Sequence, residues 1–241
     1  MLQLPEKYRI LDAAVLRWIA LITMLIDHTA ASLILKGILL PAAPIVIGTP
    51  LYTLYLVYQV MRGIGRIAFP IFCFQLVEGF FSTKNLPRYM LRILLAGLLS
   101  EIPFDLALRQ ALFDWKYQNV MFTLLLGLCM MAVMERFKKT PVLMLLLGAP
   151  FPAIAHFLNT DYGWKGLALI AVLFFFRSHQ LLQLVLGALS ICWEWPAIFA
   201  FPLLALYNGK RGRSLPRLVT YLFYPAHLAL LAVLLHLFFR T

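Results

Sequence analysis

Apolar residues in this chain come in long runs, and the polar positions between them form short clusters rich in Lys and Arg. A helix needs about 20 largely apolar residues to cross the hydrocarbon core of a bilayer. On that measure the sequence predicts spans near residues 14–36, 64–82, 89–108, 119–136, 141–157, 163–177, 180–193, 195–208 and 218–239. The runs at 163–177, 180–193 and 195–208 are short, which sets the number of spans at about nine. Segment 51–62, LYTLYLVYQVMR, is shorter and rich in Tyr, and reads as an interfacial or re-entrant helix. No linker, low-complexity tract or internal repeat divides the chain. Residues 1–241 are therefore expected to form one all-α domain, a polytopic transmembrane helix bundle.

The residue balance points the same way. Hydrophobic residues make up 63% of the 241 and charged residues 13%, against about half and a quarter in a soluble domain. So apolar a surface belongs in lipid rather than water. The net charge of +11 lies mainly between the apolar runs. Lys7 and Arg9 precede the first predicted span. Lys84 and Arg88 follow the second, Arg136, Lys138 and Lys139 the fourth, Arg177 the sixth, and Lys210, Arg211, Arg213 and Arg217 the eighth. The alternate loops are poorer in cations, with Lys36 and Arg62, then Arg109 and Lys116 beside Asp114, then Lys165 beside Asp161, then Glu194 alone. This predicts a cytoplasmic N-terminus and an outer C-terminus in a cell-membrane protein. Topogenic charge and attraction to anionic lipid account for this distribution. No basic face interleaved with aromatics points to nucleic acid. Cys73, Cys129 and Cys192 lie inside apolar runs without metal-ligand spacing, and no metal is expected. The first residues lack the features of a cleavable signal, so the first span is expected to serve as an uncleaved one.

Against this background the ionisable residues inside the spans stand out. Each costs at least about 2.5–3.5 kcal/mol near the bilayer centre. The first span carries Asp27 and His28, the second Arg66 and Glu78, and the third Arg92, Glu101 and Asp105, while His156 and His227 lie further on. Such residues face a bundle interior or a watery cavity and mark functional sites. Arg17 and His28 share one helix face about 16 Å apart along the axis. Glu101 and Asp105 form an i, i+4 pair, with Pro103 between them loosening the local hydrogen bonding. Blander readings exist: a hydrogen-bonded packing histidine, a structural Arg66–Glu101 ion pair, and snorkelling by Arg17, Glu78 and Arg92.

Two loops add to the picture. YNGKRGRSLPR at 207–217 combines glycines with cations, which suits a phosphate clamp or ordinary topogenic charge. FDWKYQN at 113–119 reads as an outer loop, with Trp115, Gln118 and Asn119 at the interface.

The stretches WIALITMLIDH (18–28), IGRIAFPIF (64–72), VEGFFSTKN (77–85), SEIPFDLAL (100–108), QNVMFTLLLG (118–127), YNGKRG (207–212) and FYPAHL (223–228) together resemble the TraX family of membrane proteins, named for a pilin acetylase of conjugation systems. The family is distantly similar to transmembrane acyltransferases. The resemblance implies transfer of an acetyl group from cytoplasmic acetyl-CoA to an amine or hydroxyl at the outer face, on a pilin N-terminus or an envelope component. His28 is then expected to act as base or nucleophile, with Asp27 orienting it. Arg66 would stabilise the oxyanion, and Glu101 would pair with Arg66 or hold the acceptor. Arg17, Arg92, Asn208, Lys210 and Arg211 would bind the coenzyme phosphates. Asp105, Glu78, Gln118, Asn119, Tyr224 and His227 would meet the acceptor. The rival classes are a proton-coupled secondary transporter, which buried acids and histidines also build, and a non-catalytic assembly factor of a pilus or secretion system.

Overall fold

The computed structural model describes residues 5–213 and 216–239, the side chains of Arg217 and Leu218 excepted. Regular structure among these residues is helical. Helix α1 spans Ala13–Thr29 and continues as a π-helix over Ala30–Leu39. It is followed by α2 (Pro50–Gly65), α3 (Ala68–Ser82) and α4 (Leu86–Phe104), which also runs on as a π-helix, Asp105–Arg109. Then come α5 (Val120–Arg136), α6 (Pro141–Gly148), α7 (Pro150–Phe157), α8 (Gly163–Phe175) and α9 (Gln180–Ser190). A 3-10 stretch at Cys192–Phe199, interrupted at Glu194, leads into α10 (Ala200–Ala205) and α11 (Arg217–Phe239).

Helix starts follow local chemistry. The side chains of Asp12, Thr49, Asn85 and Asn119 each accept a backbone N–H of the first turn of the helix they precede, which satisfies donors a helix start leaves free. Pro50, Pro87, Pro141 and Pro150 occupy first-turn positions, where a missing N–H costs nothing. Pro103 inside α4 removes one rung of the helical ladder. The backbone widens to a π-helix two residues later, the loosening expected from the sequence.

Among the described residues three helices are long and apolar enough to cross a membrane: Ala13–Leu39, Pro50–Ser82 and Val219–Phe239. The second differs from the expectation for residues 51–62. Here α2 runs into α3 with only a short break at Arg66 and Ile67, giving a helical run of 33 residues. The 141–157 stretch divides into two helices at the Gly148–Pro150 junction.

The ends of the bundle can be read from long-range contacts. At the proximal end, where α1 begins, Leu11 N–H donates to Leu206, Asn208 N–H to Leu11, and Ala13 N–H to Lys210. Glu78 near the end of α3 meets Arg177 just past α8 there. At the distal end Gln118, before α5, forms an isolated bridge with Thr160, before α8.

Leu16, Ile71, Leu128, Leu169, Ile170 and Leu173 are fully buried between the helices. Trp18, Ile22 and Leu25 of α1 and Leu91, Leu95, Leu98, Leu99 and Ile102 of α4 point outward and are exposed. An outer face this apolar suits a lipid solvent. Small residues sit where helices press together, as in membrane bundles generally. Gly166 shows it best. A Cβ there would lie 2.9 Å from the Phe69 ring, 2.9 Å from Tyr162 Cβ and 3.0 Å from Thr123 Cγ2. None of these can withdraw easily, because Phe69 and Tyr162 are stacked at 3.6 Å. Gly166→Ala is expected to destabilise the protein by about 1–3 kcal/mol, measured as a lower melting temperature in detergent. An unchanged melting temperature would show that α8 is not pressed against α3 and α5.

Candidate functional site

The first and last helices meet at two histidines. His28 Nδ1 of α1 lies 2.7 Å from His227 Nε2 of α11, and the rings are parallel within 1° at a centroid separation of 5.0 Å. This is the separation expected of two coplanar rings joined nitrogen to nitrogen. Proton positions follow from the second contact. His227 Nδ1 is 2.7 Å from the Phe223 carbonyl oxygen. A carbonyl only accepts, so His227 Nδ1 carries the proton and, in the neutral ring, Nε2 is the acceptor. His28 Nδ1–H must then be the donor to His227, which leaves His28 Nε2 with a free lone pair. Tyr224, one turn before Leu228, packs edge-on against His28 at 5.9 Å.

On its other side His28 Nε2 faces the Asp27 carboxylate, 4.0 Å from Oδ2. That oxygen is held by Arg62 Nη1 at 2.5 Å, while Asp27 Oδ1 is buried without a hydrogen-bond partner. Two carboxylates and two guanidiniums alternate here. One turn beyond Arg62, Arg66 Nε pairs with Glu194 Oε1 at 2.8 Å and lies within electrostatic reach of Tyr162. Glu194 reaches Arg66 from the interruption in the 3-10 stretch, where its φ is −110° and ψ 61°. Gly65, between the arginines in sequence, is packed so closely on Asp27 that a Cβ would overlap the carboxylate. A groove of ≈ 550 Å³ opens beside these pairs, lined by Arg62, Arg66, Glu194, Tyr58, Trp193 and Trp195 among others.

A second set of polar groups stands nearby at the distal end. Tyr117 donates its hydroxyl to Asp161 Oδ1 at 2.7 Å, and Thr123 donates to the Asp161 carbonyl. Burial raises the Asp161 carboxyl above the ordinary range, against the lowering effects of the Tyr117 hydrogen bond and the Arg66 charge. Asp114, in the loop before α5, is held below the usual range by the Lys116 N–H, with Arg109 adding to the effect. Asn119 caps α5 and donates to both the Gly97 carbonyl and Glu101 Oε2. Asp105 Oδ2 accepts the Asp114 N–H at 2.6 Å. Glu101 Oε1 and Asp105 Oδ1 remain buried and unpartnered.

The structure thus brings Asp27, His28, Arg66, His227 and Tyr224 together. Glu101, Asp105 and Asn119 form an adjoining acidic cluster. Arg66 takes Glu194 rather than Glu101 as its ion-pair partner. The group that fixes the His28 ring is His227, with Asp27 turned to Arg62. Gln118 contributes mainly through its backbone bridge to Thr160, and its side chain donates to the Trp115 carbonyl. Glu78 is engaged in a two-pronged pair with Arg177, at 2.7 and 3.2 Å, far from His28 at the proximal end. Arg62, Glu194, Tyr162 and Asp161 are members of the site that sequence reasoning passed over. The i, i+4 spacing of Arg62 and Arg66 was the one signal available for the first.

The five residues expected to bind phosphates divide into two groups. Asn208, Lys210 and Arg211 belong to the loop zipped by its backbone onto residues 11–13, with Lys210 and Arg211 exposed. Arg17 and Arg92 project among helices at the same end. Arg17 Nε reaches Gln75 Oε1 at 3.4 Å, and the Arg92 guanidinium lies 5.6 Å over the Tyr221 ring.

Comparison with known proteins agrees with the sequence resemblance. The family described as TraX protein matches residues 12–235. The probable fimbrial assembly protein FimC, serogroup H1, of Dichelobacter nodosus is 28% identical over 246 residues, covering 90% of this chain and 92% of that protein. No solved structure matches.

The Asp27–Arg62 pair generates a signed prediction. Removing one partner leaves the other charge buried and uncompensated, whereas removing both does not. Asp27→Ala and Arg62→Ala are each expected to cost up to about 3 kcal/mol, and the double variant less than the sum of the two. Melting temperatures of the three variants in detergent check this; strict additivity would mean that the two side chains do not interact.

Proposed function

The chain belongs to the TraX family, and from that premise we propose that it is a membrane-embedded acetyltransferase with His28 as its general base. In this reading it is a single-domain, multi-pass protein of the cytoplasmic membrane with about nine spans and its N-terminus inside. It takes the acetyl group from cytoplasmic acetyl-CoA. The acceptor is an amine or hydroxyl at the outer face, on a pilin N-terminus or an envelope component. The name of the Dichelobacter relative, a fimbrial assembly protein, favours an acceptor in a pilus.

The observation that carries this reading is the free lone pair on His28 Nε2. It is held in place from behind by His227 and faces a carboxylate whose second oxygen has no partner. Two acceptors side by side suit an acceptor molecule that arrives with N–H or O–H donors. Asp27 Oδ1 takes one hydrogen bond and His28 Nε2 the other. His28 removes the proton as the acceptor attacks the thioester carbonyl carbon, and a tetrahedral oxyanion forms. The C–S bond then breaks. The acetyl group stays on the acceptor, and the proton on His28 Nε2 leaves with the coenzyme thiolate as a free thiol. His227 Nε2, accepting from His28 Nδ1–H, stabilises the transient imidazolium. Arg66 supplies the positive charge opposite the oxyanion, where a dry setting strengthens it. Arg62 holds Asp27 Oδ2, which leaves Oδ1 for the acceptor. Glu101 and Asp105, with Asn119, add negative charge at the end from which a cationic amine would enter.

The relative's name also favours a second reading, a non-catalytic factor in fimbrial assembly. One experiment separates the two. Purified protein is given labelled acetyl-CoA, and thiol release is followed with water or a small amine as acceptor. His28→Ala is expected to lower the rate by about 10²–10⁴-fold while insertion and melting temperature persist. His227→Phe keeps the ring in place without an acceptor for Nδ1–H and is expected to lower the rate as well. Equal rates in wild type and His28→Ala, or no turnover in a wild type that still supports pilus formation, would overturn the enzyme reading.

A further inference from the structure

At the proximal end, away from His28, two arginines lie among the helices without a carboxylate. Arg17 sits in the second turn of α1 and Arg92 in the second turn of α4, both half-buried. Among the described residues neither forms an ion pair, although Glu78, Asp12 and other acids are present at this end. Glu78 is taken by Arg177, and Asp12 caps α1 by accepting the Val15 N–H. What surrounds the two guanidiniums is neutral and polarisable. Arg92 lies over the rings of Tyr221, at 5.6 Å, and Tyr89, at 6.0 Å. The Tyr89 hydroxyl is within electrostatic reach of both arginines and packs against Gly79 of α3. Gln75 offers its amide oxygen to Arg17 only at 3.4 Å, while its amide nitrogen is committed to the Ala13 carbonyl at 2.8 Å. Arg92 Nε is buried with no hydrogen-bond partner.

A guanidinium withdrawn from water without a counter-charge costs several kcal/mol, and cation–π contact recovers only part of that. Arginine is the residue suited to forked contacts with phosphate. The starts of α1 and α4 at this end add the partial positive charge of their first turns. We propose that Arg17 and Arg92, with Tyr89 and Tyr221 beside them, form a binding site for a phosphate anion. The inference narrows the donor side of the acetyltransferase reading and rests on it only for the source of the phosphate. The phosphates of a nucleotide-bearing thioester and the phosphate of a lipid headgroup share this chemistry. The exposed loop around Lys210 and Arg211 then serves to hold the N-terminal segment rather than to form the principal anion clamp.

Calorimetric titration of the purified full-length protein tests the site. Coenzyme A and inorganic pyrophosphate are titrated into protein in neutral detergent. Phosphatidylglycerol is presented separately, in nanodiscs against phosphatidylcholine. Arg17→Gln and Arg92→Gln are each expected to weaken anion binding at least about tenfold, the value of a lost charge-assisted hydrogen bond. Lys138→Ala, which removes an exposed charge paired with Glu135, serves as the control and should bind as wild type. Melting temperatures show which variants keep the fold, and Arg92→Lys should recover part of the affinity. Loss of coenzyme A and pyrophosphate binding in the arginine variants assigns the site to the donor. Loss confined to phosphatidylglycerol assigns it to lipid. Either supports a phosphate site. Affinities that are the same in wild type and both arginine variants, or absent for every phosphate offered, would overturn it. His28→Ala should leave coenzyme A affinity unchanged, so a failure of the catalytic reading would not be mistaken for a failure of this site.

Discussion

Where lipid replaces water as solvent, a polar group inside the bundle must find its partner within the protein. The hydrogen bond between His28 and His227 meets that constraint and organises the rest. It joins residues 199 positions apart, and so ties the first helix to the last. It also uses up one nitrogen of each ring in a fixed sense, because the Phe223 carbonyl dictates the proton position on His227. The consequence is that one of the two unprotonated nitrogens, His28 Nε2, keeps a free lone pair, on the side of Asp27. The Asp27–Arg62 and Arg66–Glu194 pairs then follow as the means by which charges on α1, α2 and the 3-10 stretch are neutralised around that nitrogen.

The two ends of the bundle differ in electrostatic character. At the distal end Arg62 and Arg66 are matched by carboxylates, and carboxylate oxygens are left over without a partner: Asp27 Oδ1, Glu101 Oε1 and Asp105 Oδ1. At the proximal end Arg92 Nε is a buried donor without a partner, and aromatic rings rather than a carboxylate stand beside its guanidinium. An end that offers acceptors suits an amine or hydroxyl, and an end that offers donors suits an anion.

Much of this was legible in the sequence. The apolar runs marked most of the helices, because the hydropathy of a lipid-facing helix is a property of its own residues. The same rule made Asp27, His28, Arg66, Glu101, Asp105 and His227 conspicuous, and Pro103 foretold the loosened end of α4. What the sequence did not convey were the partnerships. Arg62 looked like a loop cation, because segment 51–62 read as interfacial instead of as part of a helix continuous with α3. Glu194 looked like a lone charge in an outer loop, because only the turn at the 3-10 stretch carries it to Arg66. The cations Arg17, Arg92, Lys210 and Arg211 shared a predicted side. Their division into a half-buried pair and an exposed loop depends on helix packing that no local pattern encodes.

The chemistry of the site rests on the proton arrangement of the two imidazoles. Solid-state NMR on protein with 15N-labelled histidine, reconstituted in lipid near neutral pH, reads it directly; differences against His28→Ala and His227→Ala spectra assign the signals among the five histidines. Both rings are expected to carry their proton on Nδ1, His28 Nε2 to have the shift of an unprotonated nitrogen, and a coupling across the hydrogen bond to link His28 Nδ1 to His227 Nε2. A proton on His28 Nε2, or the absence of that coupling, would contradict this arrangement.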